Sequence, residues 1–401
     1  MIVTYPAFPG RTLPAAQQPE WDAPDQVANV RTVLATAGAL IEFEQVVALR
    51  RALAAVSAGS ALVLQAGDCA EDPNECTRPH IAAKAGLVHR LADLLAAEAG
   101  LPVLRVGRIA GQFTKPRSQP IEQVGDVVLP AYRGHMVNAP EFDADSRRPD
   151  PLRMLQCFMA AREAIGHLGR LSGPGLEDRV WTSHEALLLD YEQPLLRGSG
   201  PEDMFLGSTH WPWIGERTRR IDGAHVDLLS RVTNPVACKI GPTITPAELL
   251  ELCHRLDPER EPGRLTLIVR MGADTIEQRL PALARAVRDD GHPVLWLSDP
   301  MHGNTIKLPG NRKTRLVATV VAELRRFRSI LADAGVAAHG LHLEATPHPV
   351  GECLADADAP VPAAAAATLC DPRLNPEQAA EVVAAWSAER LDVLEALTNS
   401  E

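Results

Sequence analysis

The chain has 401 residues, 46% hydrophobic and 23% charged, enough to bury one large core or a few smaller ones. Its formal charge of -11 argues against a nucleic-acid surface, which needs an excess of Lys and Arg, but leaves room for a local basic pocket. No apolar run approaches the roughly 18 residues of a membrane span, and MIVTYPAFPGRTLPAA lacks a basic region followed by an apolar one. The expectation is a cytoplasmic protein that binds neither nucleic acid nor membrane.

Residues 1–45 are rich in Pro and polar residues, with a helix expected over Val27–Thr36. They read as an arm that packs on the body or on a neighbouring subunit. A helix over Phe43–Ser57 leads into the body, residues 46–401, read as one domain.

The body repeats a short apolar run, a polar loop and a helical stretch. The runs are Ala61–Gln65, Val103–Arg108, Val180–His184, Phe205–Ser208, Val236–Ile240, Leu265–Arg270, Val294–Leu297 and Gly340–Glu344. Strands buried on both faces read as continuous apolar runs. Helical spacing fills Ile81–Ala99, Pro246–Leu256, Thr275–Arg288 and Thr314–Ala334, and the long gap 109–179 is expected to hold loops plus a helix near Pro151–Leu171. Eight alternations fit a closed parallel barrel or a large doubly wound sheet. Nearly every run ends in a charged or metal-capable residue. Barrels place active sites at the C-terminal strand ends, whereas a doubly wound sheet gathers such residues at one switch point. The expected fold is therefore an α/β, (β/α)8 TIM barrel with an N-terminal extension. Aromatics are only 4%, which implies a core of Ala, Val, Leu and Ile.

Two chemical sets stand at the strand ends. One is cationic: Arg108, Lys115, Arg117, Arg217, Lys239 and Arg270. Any one alone reads equally well as a solvated surface charge. Together at one mouth they suit carboxylate and phosphate, which Arg grips with a planar fork and Lys with a point charge. The second set is Cys69, His302, Glu344 and Asp371, a mixed S/N/O set suited to Mn²⁺, Fe²⁺, Co²⁺ or Zn²⁺ over Mg²⁺. A lone His or Cys is more often a core residue; only barrel closure would join these four. Cys76 and Cys353 are lower-ranked ligand candidates. The seven cysteines are odd in number, scattered and without a CxxC pair, which fits a reducing compartment. No GxGxxG or GxxxxGK[ST] loop is present, which weighs against nucleotide use. Gly223 and His225 read as structural, and Trp211 and Trp213 as a wall of the pocket.

QAGDCAE, RIAGQFTKPRS, TSHEALLLDYE, WIGERTRRIDGAH, NPVACKIGP, RMGAD, DPMHGNT and CDPRLN follow in order between about residues 45 and 385. Through these motifs the chain resembles the type II 3-deoxy-D-arabino-heptulosonate 7-phosphate (DAHP) synthases. The resemblance implies a (β/α)8 barrel that condenses phosphoenolpyruvate with erythrose 4-phosphate and water, releasing phosphate. It implies a divalent metal, Mn²⁺ or Co²⁺ before Zn²⁺ or Fe²⁺, on Cys69, His302, Glu344 and Asp371. It assigns phosphoenolpyruvate to Arg108, Glu216, Arg217, Lys239 and Arg270, and the aldose phosphate to Lys115, Arg117 and Ser118. Lys239, Glu216 and His302 are the implied catalytic residues, and a homodimer or larger homo-oligomer the implied assembly.

The chain also departs from the family pattern. Pro347 stands where the family has the Gly of a Thr-Gly turn, and the 109–179 segment lacks a helical insertion that long members use to bind aromatic amino acids. Weak feedback inhibition and a role in secondary metabolism are expected from this short form. An aminoDAHP synthase acting on an amino or imino aldose phosphate is the nearest alternative. A non-catalytic regulatory barrel fits less well, because every mapped cation and ligand is present. A metal-dependent hydrolase or class II aldolase would not need two anion clusters.

Overall fold

The computed structural model describes residues 2–7, 11–173, 175, 178–198, 200, 203–309, 312–359 and 370–387. Eight parallel strands close into a barrel. They are β1 (Leu62–Gly67), β2 (Val103–Arg108), β3 (Trp181–Glu185), β4 (Trp211–Ile214), β5 (Val236–Ile240), β6 (Leu265–Val269), β7 (Leu295–Ser298) and β8 (Gly340–Glu344). Each pairs with the next, and β8 closes on β1 with Glu344 opposite Gly67. The barrel reading stands.

The helices longer than one turn among the described residues are α1 (Pro24–Thr36), α2 (Phe43–Ser57), α3 (Arg78–Ala99), α4 (Leu152–Leu171), α5 (Ala224–Ser230), α6 (Pro246–Leu256), α7 (Ile276–Asp290), α8 (Val317–Asp333) and α9 (Pro376–Ala384). Local signals start several of them. Thr245 caps α6 and exchanges hydrogen bonds with Glu248, with Pro246 in the first turn where a missing N–H costs nothing. Gly100 and Gly291 end α3 and α7 in the left-handed conformation.

The fourth strand differs from the expected Phe205–Ser208. Phe205–Leu206 instead pairs antiparallel with Leu196–Arg197, and Trp211–Ile214 enters the barrel. Pro212 hides this strand, because proline cannot donate to a ladder. Here β4 pairs with β5 only from Trp213 onward, so Pro212 lies outside that ladder.

Barrel filling also differs from the aliphatic expectation. Trp181, Trp211 and Trp213 lie inside, packed with Val63, Leu104, Val106, Ala237, Ile268, Leu295 and Leu297. Leu49, Leu53 and Val56 of α2 join the same cluster, so this helix plugs the barrel end opposite the strand C-termini. The shell between strands and outer helices is mainly aliphatic, as expected.

The arm starts with a hairpin, Ile2–Ala7 against Arg11–Ala16, then crosses to the barrel. Gln18 clips it there: Nε2 donates to the Leu187 carbonyl at 2.8 Å and Oε1 accepts the Leu189 N–H at 3.0 Å. The segment between β2 and β3 holds a hairpin, Ile121–Val124 against Val127–Pro130, a one-turn helix Ala144–Arg147, and α4. Among the described residues, no helix is long and apolar enough to cross a membrane.

Candidate active site

The site lies at the C-terminal mouth, where barrel closure sets Glu344, Gly67 and Arg108 in one row. Gly67 has φ +151, and a Cβ there would meet the Arg108 carbonyl oxygen at 2.8 Å. Only glycine lets β1 turn so closely over β2 into Asp68 and Cys69.

Cys69, Glu344 and Asp371 each offer a ligand atom, all within 4.8 Å of one another. His302 stands at the edge of this group of three: its Nε2 is 3.0 Å from Glu344 Oε1 but not within 4.8 Å of all three ligand atoms. The Lys115 ammonium stands among these groups, 2.7 Å from Cys69 Sγ and 2.8 Å from Asp371 Oδ2. A cation thus already bridges two of the four candidate ligands. One thiol, one imidazole and two carboxylates fit a divalent transition ion.

The electrostatics agree. Burial would push the Glu344 carboxyl up, yet His302, Arg315 and Arg108 outweigh it and hold it well below the usual range. Burial likewise opposes ionisation of Asp371, and Lys115, Arg315 and Lys313 outweigh it. Burial pushes the Cys69 thiol up, and the neighbouring Cys370 adds to the shift.

Beside this cluster runs a cationic floor. Buried Arg108 donates from Nη1 to His342 Nε2 at 2.8 Å and from Nη2 to Glu344 Oε1 at 3.1 Å. Lys239 pairs with Asp299 Oδ2 at 2.9 Å. Both stand over the Trp213 ring, at 5.3 and 5.7 Å from its centroid. Trp213 is therefore floor more than wall, and Trp211 belongs to the barrel core. Arg270 donates to the His302 carbonyl at 3.0 Å. Farther out, Arg217 donates to Ser118 Oγ at 2.7 Å, and Arg117 pairs with Glu122.

The class-II DAHP synthetase family model matches residues 9–179 and 175–386, nearly the whole chain. The chain belongs to the class-II DAHP synthetase family. It is 51% identical over 379 residues to a probable phospho-2-dehydro-3-deoxyheptonate aldolase of Pseudomonas fluorescens, covering 93% of this chain and 95% of that one. It is 37% identical to phospho-2-dehydro-3-deoxyheptonate aldolase AroG of Mycolicibacterium smegmatis, over 92% of this chain and 91% of that one. A phospho-2-dehydro-3-deoxyheptonate aldolase of Streptomyces coelicolor is also 37% identical, over 93% of this chain and 94% of its own length. As a class-II DAHP synthetase the protein is an enzyme, a DAHP synthase.

In this DAHP synthase the residues singled out from sequence meet at one mouth, with two differences of placement. Lys115 sits among the metal candidates, apart from Arg117 and Ser118. Glu216 is gripped through both oxygens by Arg219, at 2.9 and 3.0 Å. Arg105, also near a strand end, points away and pairs with Asp93. Cys76 and Cys353 are buried outside the cluster, whereas Cys370 lies against Cys69.

Sequence reasoning passed over a supporting layer. Asp299 Oδ2 lies 2.7 Å from His302 Nδ1, orienting the ring. His342 Nδ1 donates to Gln65 Oε1 at 2.7 Å, which leaves Nε2 to accept from Arg108; burial and the neighbouring Lys239 and Arg108 keep this ring neutral. Arg315 Nη1 holds Glu344 Oε2 at 2.7 Å. Glu185, at the end of β3, is buried with Oε1 unpartnered. Its carboxyl is raised by burial, which Lys239, His302, Arg217 and Arg108 oppose. Motif position could have flagged Glu185, next to His184 in TSHEA. Nothing local marks His342 or Arg315.

Proposed function

We propose that this DAHP synthase condenses phosphoenolpyruvate with erythrose 4-phosphate and water to give DAHP and inorganic phosphate, opening the shikimate pathway. The observation that carries the proposal is the juxtaposition at one mouth of a four-residue S/N/O cluster and two groups of cations. The inner group is Arg108, Lys239 and Arg270; the outer is Arg117 and Arg217, the latter hydrogen-bonded to Ser118. Two anionic substrates joined end to end need such a pair of clusters.

Cys69, His302, Glu344 and Asp371 would hold a divalent ion, Mn²⁺ or Co²⁺ before Zn²⁺ or Fe²⁺. Such an ion supplies Lewis acidity toward the aldehyde oxygen. Arg108, Lys239 and Arg270 bind phosphoenolpyruvate together with Arg217, which also touches Ser118 and so stands between the two groups, and Glu216 sets the position of Arg219 beside them. Arg117 and Ser118 take the aldose phosphate, so the two reactants lie in line and their charges are screened. The enol C3 forms the new bond to the aldehyde carbon as the C=C and C=O π bonds break; the hydroxyl of water adds at C2, and its proton ends on the former aldehyde oxygen. Glu185 is placed to take the proton of that water, since its Oε1 has no internal partner. The hemiketal phosphate then breaks its C–O bond, leaving a ketone and phosphate.

The setting is proposed to be the cytoplasm, which suits seven buried cysteines outside any disulfide. A homo-oligomer fits the half-exposed Ile121, Val124, Val127 and Val128 of the hairpin between β2 and β3. The compact segment between β2 and β3 supports a weakly regulated enzyme feeding secondary metabolism. The arm at residues 1–45 is proposed as an extension to a single barrel domain over 46–401. Phosphate release with both substrates, with and without a chelator, tests the function. Release that stops with chelator and returns with Mn²⁺ or Co²⁺ supports it. No release with erythrose 4-phosphate would pass the role to an amino or imino analogue.

A further inference from the structure

At the barrel end opposite the mouth, the C-termini of α6 and α7 converge. His254 lies in the last turn of α6 and Asp290 is the last residue of α7. His292 follows, ahead of β7. Asp290 Oδ2 stands 2.6 Å from His292 Nδ1 and 3.0 Å from His254 Nε2. The three ligand-capable atoms all lie within 4.8 Å of one another. His292 is buried and His254 exposed, so the cluster is anchored on one side and open to water on the other.

Two features call for a cation. Both helices direct the negative ends of their dipoles here, and Asp290 adds a carboxylate at the unfavourable end of α7. The second feature concerns the ring of His292. Its Nε2 lies 3.2 Å from the Asp257 carbonyl oxygen, which can only accept. The ring is thus held at both nitrogens, with Nδ1 turned to the Asp290 oxygen at 2.6 Å, where a metal ion would take the place of the shared proton. A main-chain carbonyl behind the outer ring nitrogen is also how metal-bound imidazoles are commonly oriented.

We propose that His254, Asp290 and His292 form a second metal site, separate from the mouth, for a borderline divalent ion such as Zn²⁺. Two imidazoles and a carboxylate prefer Zn²⁺, Ni²⁺ or Cu²⁺ to Mg²⁺ or Ca²⁺. Tetrahedral bonds of roughly 2.0–2.1 Å set ligand atoms about 3.4 Å apart, so the two close contacts open by less than about 1 Å. Arg260, whose Nη2 is 3.2 Å from Asp290 Oδ2, is the resident competitor; its side chain is 43% exposed and can swing into water. The ion would pin α6 to α7 and to the segment that leads into β7.

Calorimetric titration of the full chain with Zn²⁺ tests the site, comparing wild type with His254→Gln and Asp290→Asn. The expected result is one equivalent fewer in each variant, with turnover unchanged. Equal stoichiometry and affinity in all three proteins would overturn the proposal. Co²⁺ spectra identify which ion is lost. The equivalent missing from His254→Gln carries no sulfur-to-cobalt charge-transfer band, because this cluster has no thiol. A missing band of that kind would assign the ion to Cys69 and defeat the proposal. Circular dichroism of the metal-free variants, expected to match wild type, separates ligand loss from misfolding. An unfolded His254→Gln would overturn the assignment of this exposed side chain to metal binding.

Discussion

Asp299 and His302 form the pair on which the mouth's geometry turns. The buried carboxylate holds Nδ1 of the ring at 2.7 Å, which leaves Nε2 3.0 Å from Glu344 Oε1 and facing the thiol-carboxylate cluster. The same Asp299 oxygen holds Lys239 at 2.9 Å, so one carboxylate sets both an imidazole and an ammonium.

Asp299→Asn should therefore weaken metal binding about 10–100-fold, the usual cost of losing an orienting carboxylate. Mn²⁺ titration measures this. Affinity within a factor of two of wild type would remove the orienting role.

Arg117→Ala should raise KM for erythrose 4-phosphate roughly tenfold or more, the cost of one charge-assisted hydrogen bond. KM for phosphoenolpyruvate should stay within about a factor of two. Initial rates with each substrate varied in turn decide the matter, and the reverse pattern would exchange the two subsites.

Glu323 predicts a pH dependence of stability. It lies on α8, accepts the Met271 and Gly272 N–H groups at 3.0 and 2.9 Å, and accepts Asn304 Nδ2 at 2.5 Å. It thereby ties the loop after β6 to the loop after β7. Burial raises its carboxyl to about 7. Between about 4.5 and 7 the fold holds a proton that the unfolded chain has released. The stabilisation is thus full at the acid end and is lost as pH rises through 7, by at most about 3 kcal/mol. Thermal unfolding of Glu323→Gln and wild type should show the difference in Tm shifting toward the variant as pH rises across this window. A constant difference would contradict it.

Tryptophan, phenylalanine and tyrosine, alone or together, should leave phosphate release unchanged. The segment between β2 and β3 is occupied by a hairpin, a one-turn helix and α4. Strong inhibition by any of the three in the same assay would refute this.

Much of the site was legible because barrel chemistry is local to strand ends. Val103–Arg108 and Gly340–Glu344 carry Arg108 and Glu344 at the last position of a mostly apolar run, and the structure keeps both strands unchanged. The fourth strand was not legible, because Pro212 masks it and its neighbouring tryptophans fill the barrel instead of alternating with polar residues. The supporting groups were hidden for a related reason. Asp299, His342 and Arg315 act on partners that no motif spacing connects to them.

Composition and strand-end chemistry were enough to define a (β/α)8 barrel with a cation-lined mouth, since apolar runs and terminal charges are properties of short segments. Which charges touch was decided in three dimensions. Glu344 meets Arg108 because β8 closes on β1 and β1 pairs with β2, and Lys115 reaches Asp371 only across the finished mouth. His254 faces His292 because two helix ends converge under the strands. Such contacts follow from closure of the ring of strands, which fixes distances between segments that chain separation leaves open.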